Sequence, residues 1–129
     1  MYELVTDREA VLYRTIASGH VESGVVLWAA FMPSSIDRGV LSTDQALLST
    51  PGQSFRRRAT TPHSVRSFLV KDVEDVAKYL DSVFPVIDDH IPGDLLMEAH
   101  ASVDMTAATK SQRRDAAARL LGKSQHVTL

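Results

Sequence analysis

Along Val11 to Ala17 the hydrophobic and polar positions fall so that Tyr13, Thr15 and Ala17 alternate with Leu12, Arg14 and Ile16. This alternation, with its β-branched and aromatic content, predicts a strand. A short helix running to Tyr13 is the competing reading, because Thr6-Asp7-Arg8-Glu9 has the form of a capping box. The continuous apolar run Ser23 to Phe31 suits a strand buried on both faces or a buried helical turn. Its single tryptophan, Trp28, reads as core, with an interface anchor as the alternative.

Further along, Pro33 to Gly39 is rich in turn residues, and Ser42-Thr43-Asp44-Gln45 has capping-box form ahead of Ala46-Leu47-Leu48. That predicts a short helix ended by Thr50-Pro51-Gly52-Gln53. Ser64 to Val70 alternates as a strand. Asp72 can then cap a helix in which Val73, Val76, Ala77, Leu80, Val83 and Phe84 share a face, before Pro85 stops it. Val86 to Asp94 reads as a loop and Leu95 to Val103 as a strand. Thr109 to Leu121 is the clearest helix, with Thr109 and Gln112 as its cap, an Ala116, Ala117, Leu120, Leu121 stripe, and Gly122 suited to its end. The expected fold is α+β. It is a single domain over 1–129, with a small mixed or antiparallel sheet, two main helices at 72–84 and 109–121, and a mobile tail at 123–129.

Composition supports a packed core: 129 residues, 44% hydrophobic and 23% charged. No cysteine is present, which excludes disulfides, thiolate metal sites and cysteine nucleophiles. No apolar run approaches the roughly 20 residues of a membrane span. The first ten residues carry Glu3, Asp7 and Glu9, unlike an export leader. A cytoplasmic protein with no membrane association is expected.

The net charge of −2 is unevenly placed. Residues 54–66 hold Arg56, Arg57, Arg58 and Arg66 without an acid, and residues 106–129 are also basic, around an acidic middle. The loop from Phe55 to His63 offers arginine forks for an anion. Arg56, Arg57, Arg58, His63, Arg113 and Arg114 are therefore candidate binding residues for an acidic protein partner or nucleic acid. The overall negative charge and an aromatic content of 6% weigh against a dedicated nucleic-acid module.

Two catalytic constellations are conceivable. Arg14, Ser42 or Thr43, and Glu98 stand in the order used by one large class of ADP-ribosyltransferases, which they resemble in that respect alone. The resemblance implies an arginine on the pyrophosphate, a serine supporting the nicotinamide side, a glutamate on a ribose hydroxyl, and NAD as cofactor. On an extended segment Glu98 and His100 would face the same way. Separately, His100-Ala101-Ser102-Val103 and His126-Val127-Thr128-Leu129 resemble the paired tetrads of two-histidine phosphoesterases, where each imidazole moves a proton and each hydroxyl binds phosphate. Asp88-Asp89-His90 offers ligand-type side chains, but adjacent residues rarely converge on one ion, and no metal site is expected.

Leu12-Tyr13-Arg14, then Ala30-Phe31-Met32-Pro33, Asp37, Gly39 and Leu41-Ser42, with a late His100-Ala101 and a helix near Thr109, resemble small uncharacterised bacterial proteins. Met97-Glu98-Ala99 stands where that pattern has Asn-Pro. The resemblance implies no activity. The preferred expectation is a small bacterial or phage accessory protein, a toxin–antitoxin or phage-conflict component, which uses its basic segments to meet a partner and needs no cofactor. The alternative is a nucleotide-acting enzyme.

Overall fold

A computed structural model describes residues 2–33, 38–57 and 61–129. Asp37 and Arg58 lie outside the described residues. In chain order the strands are β1 (Glu3–Leu4), β2 (Val11–Ala17), β3 (Val21–Glu22), β4 (Val25–Val26), β5 (Val40–Gln45), β6 (Pro62–Leu69), β7 (Val86–Asp88), β8 (His100–Asp104) and β9 (Gln125–Val127). The helices are α1 (Pro51–Arg56), α2 (Val70–Tyr79) and α3 (Lys110–Lys123), with 3₁₀ turns at Ser18–His20 and Trp28–Phe31. Seven strands form one antiparallel sheet in the order β1-β7-β8-β5-β2-β6-β9, and β3 and β4 form a separate hairpin. The α+β expectation holds, and the sheet is the antiparallel version of it.

Register assigns the two faces. Leu12 lies opposite Gln45 and Phe68, and Leu41 opposite Val103, so these side chains share one face. That face buries Leu12, Ile16, Leu41, Phe68, Ala101 and Val103 against Val73, Val76 and Ala77 of α2 and Ala116, Ala117 and Leu120 of α3. Each large apolar side chain so enclosed contributes about 1.5–3 kcal/mol of transfer free energy. Phe31 meets Phe68 edge-on, with centroids 5.7 Å apart. The other face carries Tyr13, Thr15, Ser42, Asp44, Val65, His100 and Ser102. There Thr15 Oγ1 donates to Ser54 O at 3.1 Å, which seats α1.

β2 occupies the residues its alternation predicts. The Thr6-Asp7-Arg8-Glu9 box forms a turn instead of a helix, because Asp7 Oδ1 accepts from the Glu9 N–H at 3.0 Å. The run 23–31 divides. Ser23 and Gly24 both have positive φ, as a type I′ hairpin turn between β3 and β4 requires. The rest winds into the 3₁₀ turn, which buries Ala30 and Phe31 but leaves Trp28 41% exposed. Trp28 is therefore not core.

The second correction concerns 42–45, which is strand. β5 sits between β2 and β8, and pairing on both sides overrides the local cap signal; Thr43 Oγ1 donates across to Ala101 O at 2.7 Å. The box that operates is Thr50…Gln53, and it starts α1 where the expected helix was to end: Gln53 N–H donates to Thr50 Oγ1 and Thr50 N–H to Gln53 Oε1. α2 begins two residues before Asp72, whose carboxylate accepts from the Leu69 N–H at 2.8 Å. It stops well before Pro85, because Asp81 turns left-handed (φ 52) and Ser82 N–H reaches Ala77 O, a Schellman ending.

The expected 86–94 loop contains β7, and the expected strand 95–103 is extended only from His100 onward. Asp94 Oδ1 accepts from the N–H groups of Leu96 and Met97, coiling 94–97 into turns. α3 has its Thr109/Gln112 cap, and Gly122 lies inside its last turn, with Ser124 closing it. Residues 125–127 of the expected mobile tail add β9 to the sheet edge.

Candidate functional site

Polar side chains concentrate on the sheet face opposite α2 and α3, at the junction of β5, β8 and α1. Asp44 on β5 lies directly opposite His100 on β8 and opposite Tyr13 on β2. α1, nucleated by its Thr50 cap and Pro51, ends at Arg57, which folds inward over Asp44. Arg57 Nη1 donates to Asp44 Oδ2 at 2.5 Å and to Ser49 Oγ at 3.2 Å. Its Nε donates to Leu95 O at 3.0 Å, and its Nη2 to Glu98 Oε1 at 3.1 Å. The side chains of Arg57 and Asp44 are 5% and 3% exposed, whereas Glu98 is 40% exposed. Among the described residues Asp44 Oδ1 has no hydrogen-bond partner.

Next to this ion cluster, Asp89 bridges two residues of β8. Its Oδ1 accepts from His100 Nδ1 at 2.6 Å and its Oδ2 from Ser102 Oγ at 2.5 Å. A carboxylate facing Nδ1 fixes the imidazole proton there. The serine hydroxyl donates to the same carboxylate, and among the described residues it makes no hydrogen bond to the imidazole, so the two are not joined as a nucleophile is to its base. On the opposite face, Asp88 Oδ1 accepts from Gln45 Nε2 at 2.7 Å and pairs with His90 Nδ1 at 2.5 Å. Burial alone would raise the Asp88 carboxyl, but the hydrogen bonds from His90 and Gln45 outweigh it and hold the group below its ordinary value. No three of these groups converge as a metal set among the described residues.

The Arg14, Ser42, Glu98 and His100 set divides between the two faces. Arg14 shares the helix-covered face with Leu12 and Ile16, where Nε donates to Ala30 O at 2.9 Å and Nη1 to Ser42 O at 2.8 Å. It ties the 3₁₀ turn to β2 and β5. Ser42 and His100 project from the other face, and Glu98 sits in the turn preceding β8, so the alternation that would align it with His100 is absent. The two-histidine arrangement is not assembled either. β5, β2 and β6 separate β8 from β9, which places the strands about 19 Å apart at the usual spacing, and His126 pairs in register with Arg66 on the opposite face from His100.

The basic candidates also separate. Arg57, a candidate binding residue, has its side chain turned inward and only 5% exposed. Arg113 donates to Met105 O at 3.0 Å and to Thr106 O at 3.3 Å. Arg66 is bound to Ser124 Oγ and O. Arg114 lies 5.5 Å from the centroid of Trp28. His63 is exposed, with Nδ1 2.9 Å from Ser64 Oγ. Arg56 is exposed, and no acid among the described residues pairs with it.

Arg56 and Arg57 line a shallow cleft of 330 Å³ with Gln53, Leu95, Leu96 and Glu98. Leu95 and Leu96 are 80% and 62% exposed. Neither leucine was named as a site residue from sequence, where 95–103 reads as a strand; the turn set by Asp94 leaves both exposed. The chain has no significant match among protein-family models, curated proteins or solved structures.

Proposed function

We propose that this chain is an interaction domain that takes an acidic, partly apolar segment of a partner protein in the cleft between α1 and the 95–98 turn. The observation that carries the reading is Arg56, an exposed guanidinium without an internal acid among the described residues, set beside the uncovered Leu95 and Leu96. A partner carboxylate would pair with Arg56, and an apolar side chain beside it would cover the leucines, the mixture of anchor and charge usual at docking sites. The nucleotide-acting alternative is the less favoured reading, since Arg14 lies across the sheet from Ser42 and His126 across it from His100.

The test is titration of the isotope-labelled protein with the acetylated peptide amide Glu-Leu-Leu-Glu, with its glutamine counterpart and with a single-stranded oligonucleotide, followed by amide NMR shifts. The acidic peptide should shift Arg56, Leu95 and Leu96, and Arg56→Ala should abolish the response. Equal response to the glutamine peptide, or an oligonucleotide response centred on α3, would remove this reading.

A further inference from the structure

The guanidinium of Arg57 has two differently used edges. The end carrying Nη1 is turned inward to Asp44 and Ser49. The side-on edge, Nε with Nη2, is the one a carboxylate grips with both oxygens. Here that edge is held by two acceptors from a single turn, Leu95 O and Glu98 Oε1. Both residues also line the cleft. The turn therefore lies across the arginine as a strap, its two oxygens placed where a bound carboxylate would put its own.

The two ends differ in how readily they release. Parting Arg57 from Asp44 would leave a sealed carboxylate uncompensated, which is strongly unfavourable. Parting it from Glu98 returns a 40% exposed side chain to water and leaves Arg57 neutralised by Asp44. Leu95, 80% exposed, can likewise give its carbonyl to solvent. An incoming carboxylate would replace two oxygen acceptors on Nε and Nη2 with two of the same kind, so the exchange is close to balanced. We infer that Glu98 is an internal stand-in for the partner's carboxylate, and that an acidic residue or chain terminus displaces the 95–98 strap to engage Arg57 through Nε and Nη2. Arg56 guides the acid in, Arg57 recognises its planar shape, and the moving turn repositions Leu95 and Leu96 against the apolar neighbour. The inference rests on the docking reading above and names the group that confers its specificity.

Glu98→Ala separates the strap from a merely structural ion pair, because the two roles predict opposite signs. With the strap's competing carboxylate removed, Glu-Leu-Leu-Glu should bind more tightly than to the wild type by about fivefold, the scale of one ion pair to a carboxylate that can return to water. Sodium acetate serves as the minimal carboxylate probe: it should shift the Arg57 Nε–H resonance in Glu98→Ala at lower concentration than in the wild type, with chloride as the control. Glu98→Gln, which keeps the shape and removes the charge, should fall between the two. Unchanged or weaker peptide binding by a folded Glu98→Ala protein, with no acetate response at Arg57, would overturn the inference. An acetate response at Arg57 without any peptide selectivity would retain the strap and remove the docking reading, so the two failures are distinguishable.

Discussion

Asp44 and Arg57 meet at 2.5 Å between Oδ2 and Nη1, both side chains almost wholly withdrawn from water, on the outer face of a sheet whose other face holds the main core. A buried pair of this kind adds little relative to apolar residues of the same shape, but either member alone is costly. Arg57→Ala should therefore lower the unfolding free energy by about 3–5 kcal/mol, the more so because Asp44 Oδ1 already lacks a partner. The double variant Asp44→Asn, Arg57→Met should recover most of that loss. Urea unfolding with a double-mutant comparison measures it, and additive single effects would contradict the pairing.

Asp88 governs part of the acid response. Its carboxyl is held below its ordinary value by hydrogen bonds from His90 and Gln45, against the opposing effect of burial. The sign follows from linkage: a depressed folded value contributes stability that is fully present above the unfolded value and disappears as pH falls through the folded one. Asp88→Asn should thus flatten the stability-against-pH curve below pH 3.8 and leave its shape at neutral pH unchanged. Thermal melts across that range measure the effect; an identical acid slope in both proteins would refute it.

Gly39 is required by backbone and by contact together. Its φ is +97°, and a Cβ placed there would come within 2.7 Å of Arg113 Cζ, whose guanidinium binds the carbonyls of Met105 and Thr106. Gly39→Ala should cost about 1–3 kcal/mol of stability from the strained conformation. Combining it with Arg113→Ala should relieve only the contact, so a substantial loss should persist. Full recovery in the double variant would show that the conformation itself is tolerated.

The two aromatics of the Trp28–Phe31 turn should differ sharply. Phe31→Ala removes a fully buried ring packed on Phe68 and should destabilise by about 3–5 kcal/mol. Trp28→Ala removes an exposed indole and one arginine contact, so its cost should stay near 1 kcal/mol or below. Comparable losses in the two variants, measured by denaturant midpoint at constant m, would place Trp28 in the core after all.

Legibility from sequence followed the strength of local chemistry. β2 and α3 were readable because alternation in one, and a Thr109–Gln112 cap with an alanine–leucine stripe in the other, agree with the tertiary environment. The Ser42…Gln45 cap signal was genuine locally, but two flanking strands captured that backbone. The end of α2 was hidden because Asp81, and not glycine, adopts the left-handed conformation. Glu98, His100 and Arg57 were each recognised as chemically competent, yet nothing in their spacing shows Arg57 turning inward. Its acids stand 13 and 41 positions away, and the contacts exist only once β5, α1 and the 95–98 turn are assembled.

β9 has an implication for how the molecule is made. It pairs Gln125–Val127 with Ser67, Arg66 and Val65 in the middle of β6, far earlier in the chain. Until β9 is synthesised, the Val65–Ser67 stretch of β6 has no strand on that side, and its peptide groups stand open to association with a neighbouring chain. Vectorial synthesis therefore closes this hem of the sheet only after the other described strands have been made, and a nascent chain stopped short of residue 125 should associate edge to edge more readily.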